Sequence, residues 1–284
     1  MPEFFDSAQL IKDLLVLWAF HFSAATLLMF VAKGSKAFQW DPGLVRSVRV
    51  NWTFVATNML LTPFSIATTI FIYQTASALG LPRLPENMWA SVPVPIRVLF
   101  AFVAVDFFEY WEHRIKHHKV LWPLHGVHHS ETEMNYMSWQ RVHLLDGFLH
   151  HVMFVLLGLF LGFGYVEIAF FVMIRTLHQQ YVHMNLDWVH GPLEKWIASP
   201  RFHRWHHADV EEAHDKNFAL MFSIWDHLFG TYYCPGPCED VPTGFDGSPG
   251  DNFLKLQWFP FKTWAGMLTD RRRSQQVEMS ADAP

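Results

Sequence analysis

The residues able to do chemistry in this 284-residue chain are its histidines. His113-x-x-x-His117 has His118 beside it, His125-x-x-His128-His129 follows closely, and His203-Arg-Trp-His206-His207 repeats the second pattern far downstream. Residues three and four apart on a helix share a face, with Cβ atoms about 5–6 Å apart. His113 and His117 can therefore point at one object, and His125 can share a face with His128 and His129. Neutral imidazole is the commonest metal ligand near neutral pH, so three clusters at this spacing point to metal. With His183 and His143 the candidates outnumber the four ligands of one tetrahedral zinc. They suffice for two metals, each keeping an open position. Nitrogen-rich open sites suit iron and oxygen activation as well as zinc. A hydrolytic two-metal site would bring bridging carboxylates, and no Asp or Glu falls inside the three clusters.

The segments that must position these histidines are apolar. Leu14 to Val31 is nearly all apolar, close to the length of about 20 residues that crosses a bilayer; His21 within it reads as a buried, paired histidine. Lys33 to Val50 holds Lys33, Lys36, Arg46 and Arg49 against Asp41, which predicts a cytoplasmic loop. Asn51 to Leu81 carries no charge and makes a second span, with Pro63 as a kink or re-entrant bend. Pro82, Pro85, Pro93 and Pro95 mark an irregular connection on the opposite side. A third span runs from about Ile96 to Trp111. Asp106 and Glu109 lie two turns and one turn before His113, where either can accept the free N–H of a ligand imidazole. The histidine segment then emerges beside Arg114, Lys116, Lys119 and Arg141, again a cytoplasmic sign. Gly147 to Tyr181, divided by Gly162-Phe-Gly164, reads as a helical hairpin that crosses the bilayer or dips into one leaflet. Either version returns His183 to the same face.

The expected fold is an all-α integral membrane protein. It has about four to five transmembrane helices, one pair of them possibly a re-entrant hairpin, and a cytoplasmic histidine-rich helical cap holding a di-metal site. Residues 1–105 form the amino-terminal spans, 106–233 the catalytic region, and 234–284 a cytoplasmic segment and tail, unstructured from Ser274 onward. Composition agrees: 51% of residues are apolar and 17% charged, with 27 Phe and 13 Trp. The formal charge of -5 argues against a nucleic-acid partner. Cys234 and Cys238 are too few for a disulfide scaffold and read as ordinary loop cysteines. The first residues show no basic region or cleavage motif of a signal peptide.

As a set, these motifs resemble the fatty acid hydroxylase superfamily, also called the sterol desaturase family of non-haem di-iron membrane oxygenases. The residues that carry the resemblance are His113-Arg-Ile-Lys-His117, Leu121-Trp-Pro-Leu-His125-Gly-Val-His128-His129-Ser130 and Ser199-Pro-Arg-Phe-His203-Arg-Trp-His206-His207. It closes with Asp215-Lys-Asn217-Phe and Trp225-Asp226-His-Leu-Phe-Gly230-Thr231. The stretch from Gly191 to Thr231 also resembles alkylglycerol monooxygenases and bacterial sterol-desaturase-like proteins. The resemblance implies a ligand set of His113, His117, His125, His128, His129, His183, His203, His206 and His207. His143 matches a histidine of the sterol-oxidase branch and joins that set. His118, His178 and His214 stay open as ligands or neighbours, and His150, His151, His190 and His227 read as packing or hydrogen-bonding residues. Asp106, Glu109, Asp215, Asn217 and Asp226 are expected to orient the histidines. The resemblance further implies two iron ions, replaceable by zinc during purification, O2, a lipid substrate and an external electron donor. Hydroxylation is favoured over desaturation, and a bacterial cytoplasmic membrane over the endoplasmic reticulum. A metal transporter and an inactive zinc scaffold are the alternative classes.

Overall fold

The computed structural model describes residues 7–38, 41–163 and 165–281. Its α-helices are α1 (Ser7–Lys33), α2 (Pro42–Ala78), α3 (Val94–Lys116), α4 (Trp122–His129), α5 (Leu144–Leu161), α6 (Tyr165–Val182), α7 (Pro200–His206), α8 (Ile224–Phe229) and α9 (Phe253–Ala281). Among the described residues there is no strand, only an isolated bridge between Ala208 and Thr243. The all-helical expectation therefore holds.

Two described helices, α2 and α5, are long and apolar enough to cross a membrane. Their apolar stretches are only 6% and 28% buried, respectively. A core helix of a water-soluble protein would be mostly covered, whereas α2 presents Leu60, Phe64 and Phe71 outward and α5 presents Met153 and Phe160. The start of α2 is fixed by local chemistry: Asp41 Oδ1 accepts from Gly43 N at 2.7 Å and Leu44 N at 3.0 Å, and Pro42 occupies the first turn. The helix then continues through Pro63 to Ala78, so the chain does not turn back at that proline.

The helical hairpin is formed by α5 and α6. Gly162 ends α5 at φ 64°, a left-handed conformation that favours glycine. A Cβ there would lie 2.5 Å from Leu84 O, so close approach demands glycine a second time. The proline-rich connection before α3 clamps this tip: Leu84 N donates to Phe160 O at 2.8 Å and Trp89 Nε1 to Leu161 O at 2.8 Å. Gly164 lies outside the described residues. Phe102 of α3 meets Phe171 of α6 with ring centroids 5.2 Å apart, in a core with Val105, Leu161 and Phe163.

A polar tether joins α2 to the loops around the site. Arg141 is fully buried, not a surface charge marking sidedness. Its Nε donates to Asn51 Oδ1 at 2.9 Å and its Nη2 to Asp251 Oδ1 at 2.8 Å. Glu131, also buried, lies 3.4 Å from Arg141 Nε and accepts from Asn51 Nδ2 at 2.7 Å. A guanidinium with several donors satisfies such a crowded interior where a single ammonium would not. The last helix also departs from expectation: the segment from Ser274, read as a tail, continues α9 through Ala281. Arg, Gln, Glu, Met and Ala are good helix formers, and no Gly or Pro interrupts them.

Candidate metal centre

Short helix ends deliver the histidines. The last turn of α3 supplies His113, and His117 is its C-cap. α4 carries His125, His128 and His129. His183 follows α6 by one residue. α7 starts where Ser199 accepts from Phe202 N, with Pro200 in its first turn, and it carries His203 and His206, with His207 as C-cap.

These nine side chains form two groups. His113, His117, His125, His129 and His206 each bring a ring nitrogen within 4.8 Å of the others; His128, His183, His203 and His207 do the same separately. In the first group all five Nε2 atoms are buried and make no hydrogen bond. In the second, Nε2 atoms face one another at 3.2 Å for His128–His183, 3.0 Å for His183–His203 and 3.2 Å for His203–His207. Two imidazole nitrogens at right angles on a metal, each bonded at about 2.1 Å, stand about 3.0 Å apart.

The opposite ring nitrogens fix the tautomers. His113 Nδ1 donates to Phe218 O at 2.7 Å, His206 Nδ1 to Lys216 O at 2.7 Å and His183 Nδ1 to Gln179 O at 2.7 Å. A carbonyl can only accept, so each Nδ1 carries the proton and each Nε2 of a neutral ring holds a bare lone pair. Burial drives His113, His125, His128, His129, His203, His206 and His207 well below the ordinary imidazole value, and neighbouring imidazoles lower them further. Burial brings His183 down to about 4. Burial also lowers His117, against the opposing pull of the Asp215 carboxylate. Neutral rings with converging lone pairs fit two bound metal ions.

His143 stands outside both groups. It N-caps α5, its Nδ1 accepting from Leu145 N at 3.1 Å while its Nε2 faces Gln257 O at 2.9 Å. Both ring nitrogens are thus used by the chain. His118 and His214 are exposed and outside the groups. His178 faces Ala198 O at 3.1 Å. His150, His151, His190 and His227 make hydrogen-bond or stacking contacts elsewhere, with Glu112, Thr69, Tyr181 and Tyr232 respectively.

Of the five acids and amides expected to orient the histidines, Asp215 makes direct contact, 3.3 Å from His117 Nδ1. Asp106 instead accepts from Met221 N, Phe222 N and Trp225 Nε1. Glu109 lies against Arg175. Asp226 and Asn217 act at one remove. Asp226 accepts from Phe218 N at 2.8 Å and so holds the residue whose carbonyl meets His113. Asp215 and Asn217 both have left-handed φ, at 56° and 58°, and flank the Lys216 carbonyl that meets His206. Asp and Asn tolerate that conformation better than most residues. The acid that sequence reasoning missed is Asp146, whose Oδ2 is 3.4 Å from His125 Nδ1 and whose Oδ1 is 2.8 Å from Lys116 Nζ. Its signal was its place two residues into a helix that follows directly on the histidine segment.

A cavity of about 630 Å3 reaches both groups: His113 and His125 from one and His128 from the other are on its wall. Leu61, Phe64 and Phe148 make an apolar side, and Glu109, Glu112 and Arg175 a charged one. That volume is within the usual range of small-molecule sites.

Fold and site together define an all-helical protein with two imidazole groups competent for metal, beside an amphipathic cavity. Comparison with known proteins shows what it is similar to. Residues 98–231, which contain all nine grouped histidines, match the fatty acid hydroxylase family model. Over those residues the chain carries a fatty acid hydroxylase domain, consistent with that superfamily. It is 32% identical to the ornithine lipid hydroxylase OlsE of Rhizobium tropici over 178 residues, 60% of this chain and 51% of that one. It is 27% identical to human alkylglycerol monooxygenase over 207 residues, 72% of this chain and 44% of that one. With the sphingolipid C4-hydroxylase sur2 of Schizosaccharomyces pombe it shares 25% identity over 189 residues, 61% and 62% of the two chains. The match spans about half the length of the first two relatives. No solved structure matches the chain.

Proposed function

We propose that this chain is a membrane-bound non-haem di-iron oxygenase that oxidises a C–H bond of a lipid, by hydroxylation in preference to desaturation. The observation that carries the reading is the convergence of two sets of buried ring nitrogens beside one amphipathic cavity, whose wall includes His113, His125 and His128. His113, His117, His125, His129 and His206 would hold one metal, and His128, His183, His203 and His207 the other. Iron bound there supplies O2 activation with electrons from an external donor, and zinc can take its place in purified protein. Phe218 O, Lys216 O and Gln179 O keep three ring protons on Nδ1, leaving Nε2 free to bind. Leu61, Phe64 and Phe148 receive the apolar chain and keep water from the reacting carbon.

In this reading α1, α3 and α6 add to the crossings made by α2 and α5, for four to five in all. The histidine cap faces the cytoplasm, supported by the basic residues Lys33 and Lys36 at and just after the end of α1 and Arg46 and Arg49 near the start of α2. The amino-terminal spans end near residue 105, the catalytic region with its helical hairpin covers 106–233, and 234–284 follows it on the histidine face. A bacterial cytoplasmic membrane is the preferred setting.

Metal content of detergent-purified protein tests the reading, with His128→Ala as control. About two iron per chain, falling in the variant, is the expected result. Bound zinc calls for iron reconstitution, and no metal after reconstitution overturns the proposal. Reductant-dependent O2 uptake separates an oxygenase from a metal transporter or a structural zinc protein.

A further inference from the structure

The charged side of the cavity leaves one acceptor unfilled. Lys116 Nζ is 2.9 Å from Glu112 Oε1 and 2.8 Å from Asp146 Oδ1, and His150 Nδ1 is 2.7 Å from Glu112 Oε2. Arg175 Nε is 2.6 Å from Glu109 Oε1, a contact of opposite charges in which the N–H is not aligned on the oxygen. Glu109 Oε2 makes no hydrogen bond, although Glu109 is only 4% exposed and lines the cavity. A buried carboxylate oxygen without a donor bears the full cost of its lost hydration. Trp139 Nε1, also on the cavity wall, is a buried donor without an acceptor. The cavity therefore offers one strong acceptor and one neutral donor beside an apolar lining.

We propose that Glu109 anchors a hydrogen-bond donor, an ammonium or a hydroxyl, on the polar end of an amphiphilic substrate. This rests on the reading of the cavity as the lipid site of an oxygenase. Glu109 and His113 are four residues apart on α3, so they share a face about 6 Å apart along the axis. The anchored group thus sits one helical turn from the metal-facing wall, with Leu61 and Phe64 left to receive the chain. A carboxylate head is disfavoured, because it would meet an acceptor that already lacks a donor.

The test uses the full chain in phosphatidylcholine nanodiscs and reads the shift in Tm with dodecylamine, dodecanol, dodecanoate and dodecane. Dodecylamine and dodecanol should raise Tm, and dodecanoate and dodecane should not. Glu109→Gln should raise the half-saturating dodecylamine concentration at least tenfold. Trp139→Phe should weaken dodecanol, whose oxygen can accept from the indole, and leave dodecylamine unchanged. An unaltered dodecylamine response in Glu109→Gln, or dodecanoate matching dodecylamine, overturns the proposal and returns the network to a structural role. If Glu109→Gln does not fold, the ranking of the four probes and the Trp139→Phe contrast still decide. Iron content and O2 uptake of the same samples keep the two readings apart. An iron-loaded, O2-consuming chain without amine or alcohol preference overturns the anchor alone, whereas a chain that binds no metal overturns the oxygenase.

Discussion

His128 and His129 are neighbours in sequence, yet their rings stand 86° apart and face different histidine groups. His206 and His207 do the same, also at 86°. Each doublet closing an HxxHH pattern therefore divides its two rings between the two groups, which share α4 and α7 as common walls. Single substitutions should then act on one site at a time. His129→Ala and His128→Ala are each expected to lower iron from about two to about one per chain, from different sites. Mössbauer or magnetic circular dichroism spectra of the two variants should differ. Identical spectra, or loss of both ions in each variant, would contradict the division.

Asp146 and Asp215 approach His125 and His117 at similar distances, 3.4 and 3.3 Å, but in different surroundings. The Asp146 side chain is 3% exposed and the Asp215 side chain 73%. Solvent screens the exposed contact, so Asp146 should matter more. Asp146→Asn is expected to weaken metal binding at the five-histidine site by about 10–100-fold, and Asp215→Asn by less. Chelator competition measures both affinities, and an Asp215 effect equal to or larger than that of Asp146 would reverse the argument.

Arg141 belongs to stability rather than chemistry. It is fully buried between Asn51, Glu131 and Asp251, and its removal takes the counter-charge from the buried Glu131 and from Asp251. Arg141→Met should cost about 3–5 kcal/mol. Arg141→Lys should recover only part of that loss, because one ammonium cannot reach all the acceptors of the planar fork. Thermal unfolding followed by helical circular dichroism checks the order, and a Tm unchanged in Arg141→Met would refute it.

The two cysteines should be inert. Burial raises the Cys234 thiol to about 11, and burial with the Asp187 hydrogen bond raises Cys238 to about 12. Both thiols are free. At pH 8 the thiolate fraction of the more acidic of the two is about 10⁻³, and only the thiolate reacts. The folded protein should therefore resist iodoacetamide at pH 8 and become reactive as pH approaches 11, while the unfolded chain reacts at pH 8. Mass spectrometry of alkylated protein reads the result; rapid modification of folded protein at pH 8 would show an accessible thiolate.

Much of this protein is legible in one dimension, because local rules govern it. The i, i+3 and i, i+4 spacing of His113–His117, His125–His129 and His203–His207 fixes which rings share a helix face. Gly162 marks the division of the hairpin at the end of α5, whereas Asp41-Pro42 starts α2 inside the stretch from Lys33 to Val50 that reads as a loop. Tertiary structure alone decided the rest. It sent the members of each doublet to opposite sites, gave His143 to the backbone as a cap, and buried Arg141. It also chose Phe218 O, Lys216 O and Gln179 O as the groups that set the imidazole protons, two of them across contacts of 105 and 10 residues. Every residue has a carbonyl, so no side-chain pattern marks which one will meet a ring. That choice depends on how α3, α6 and α7 pack against the loop that ends in α8, and packing has no period that a sequence can display.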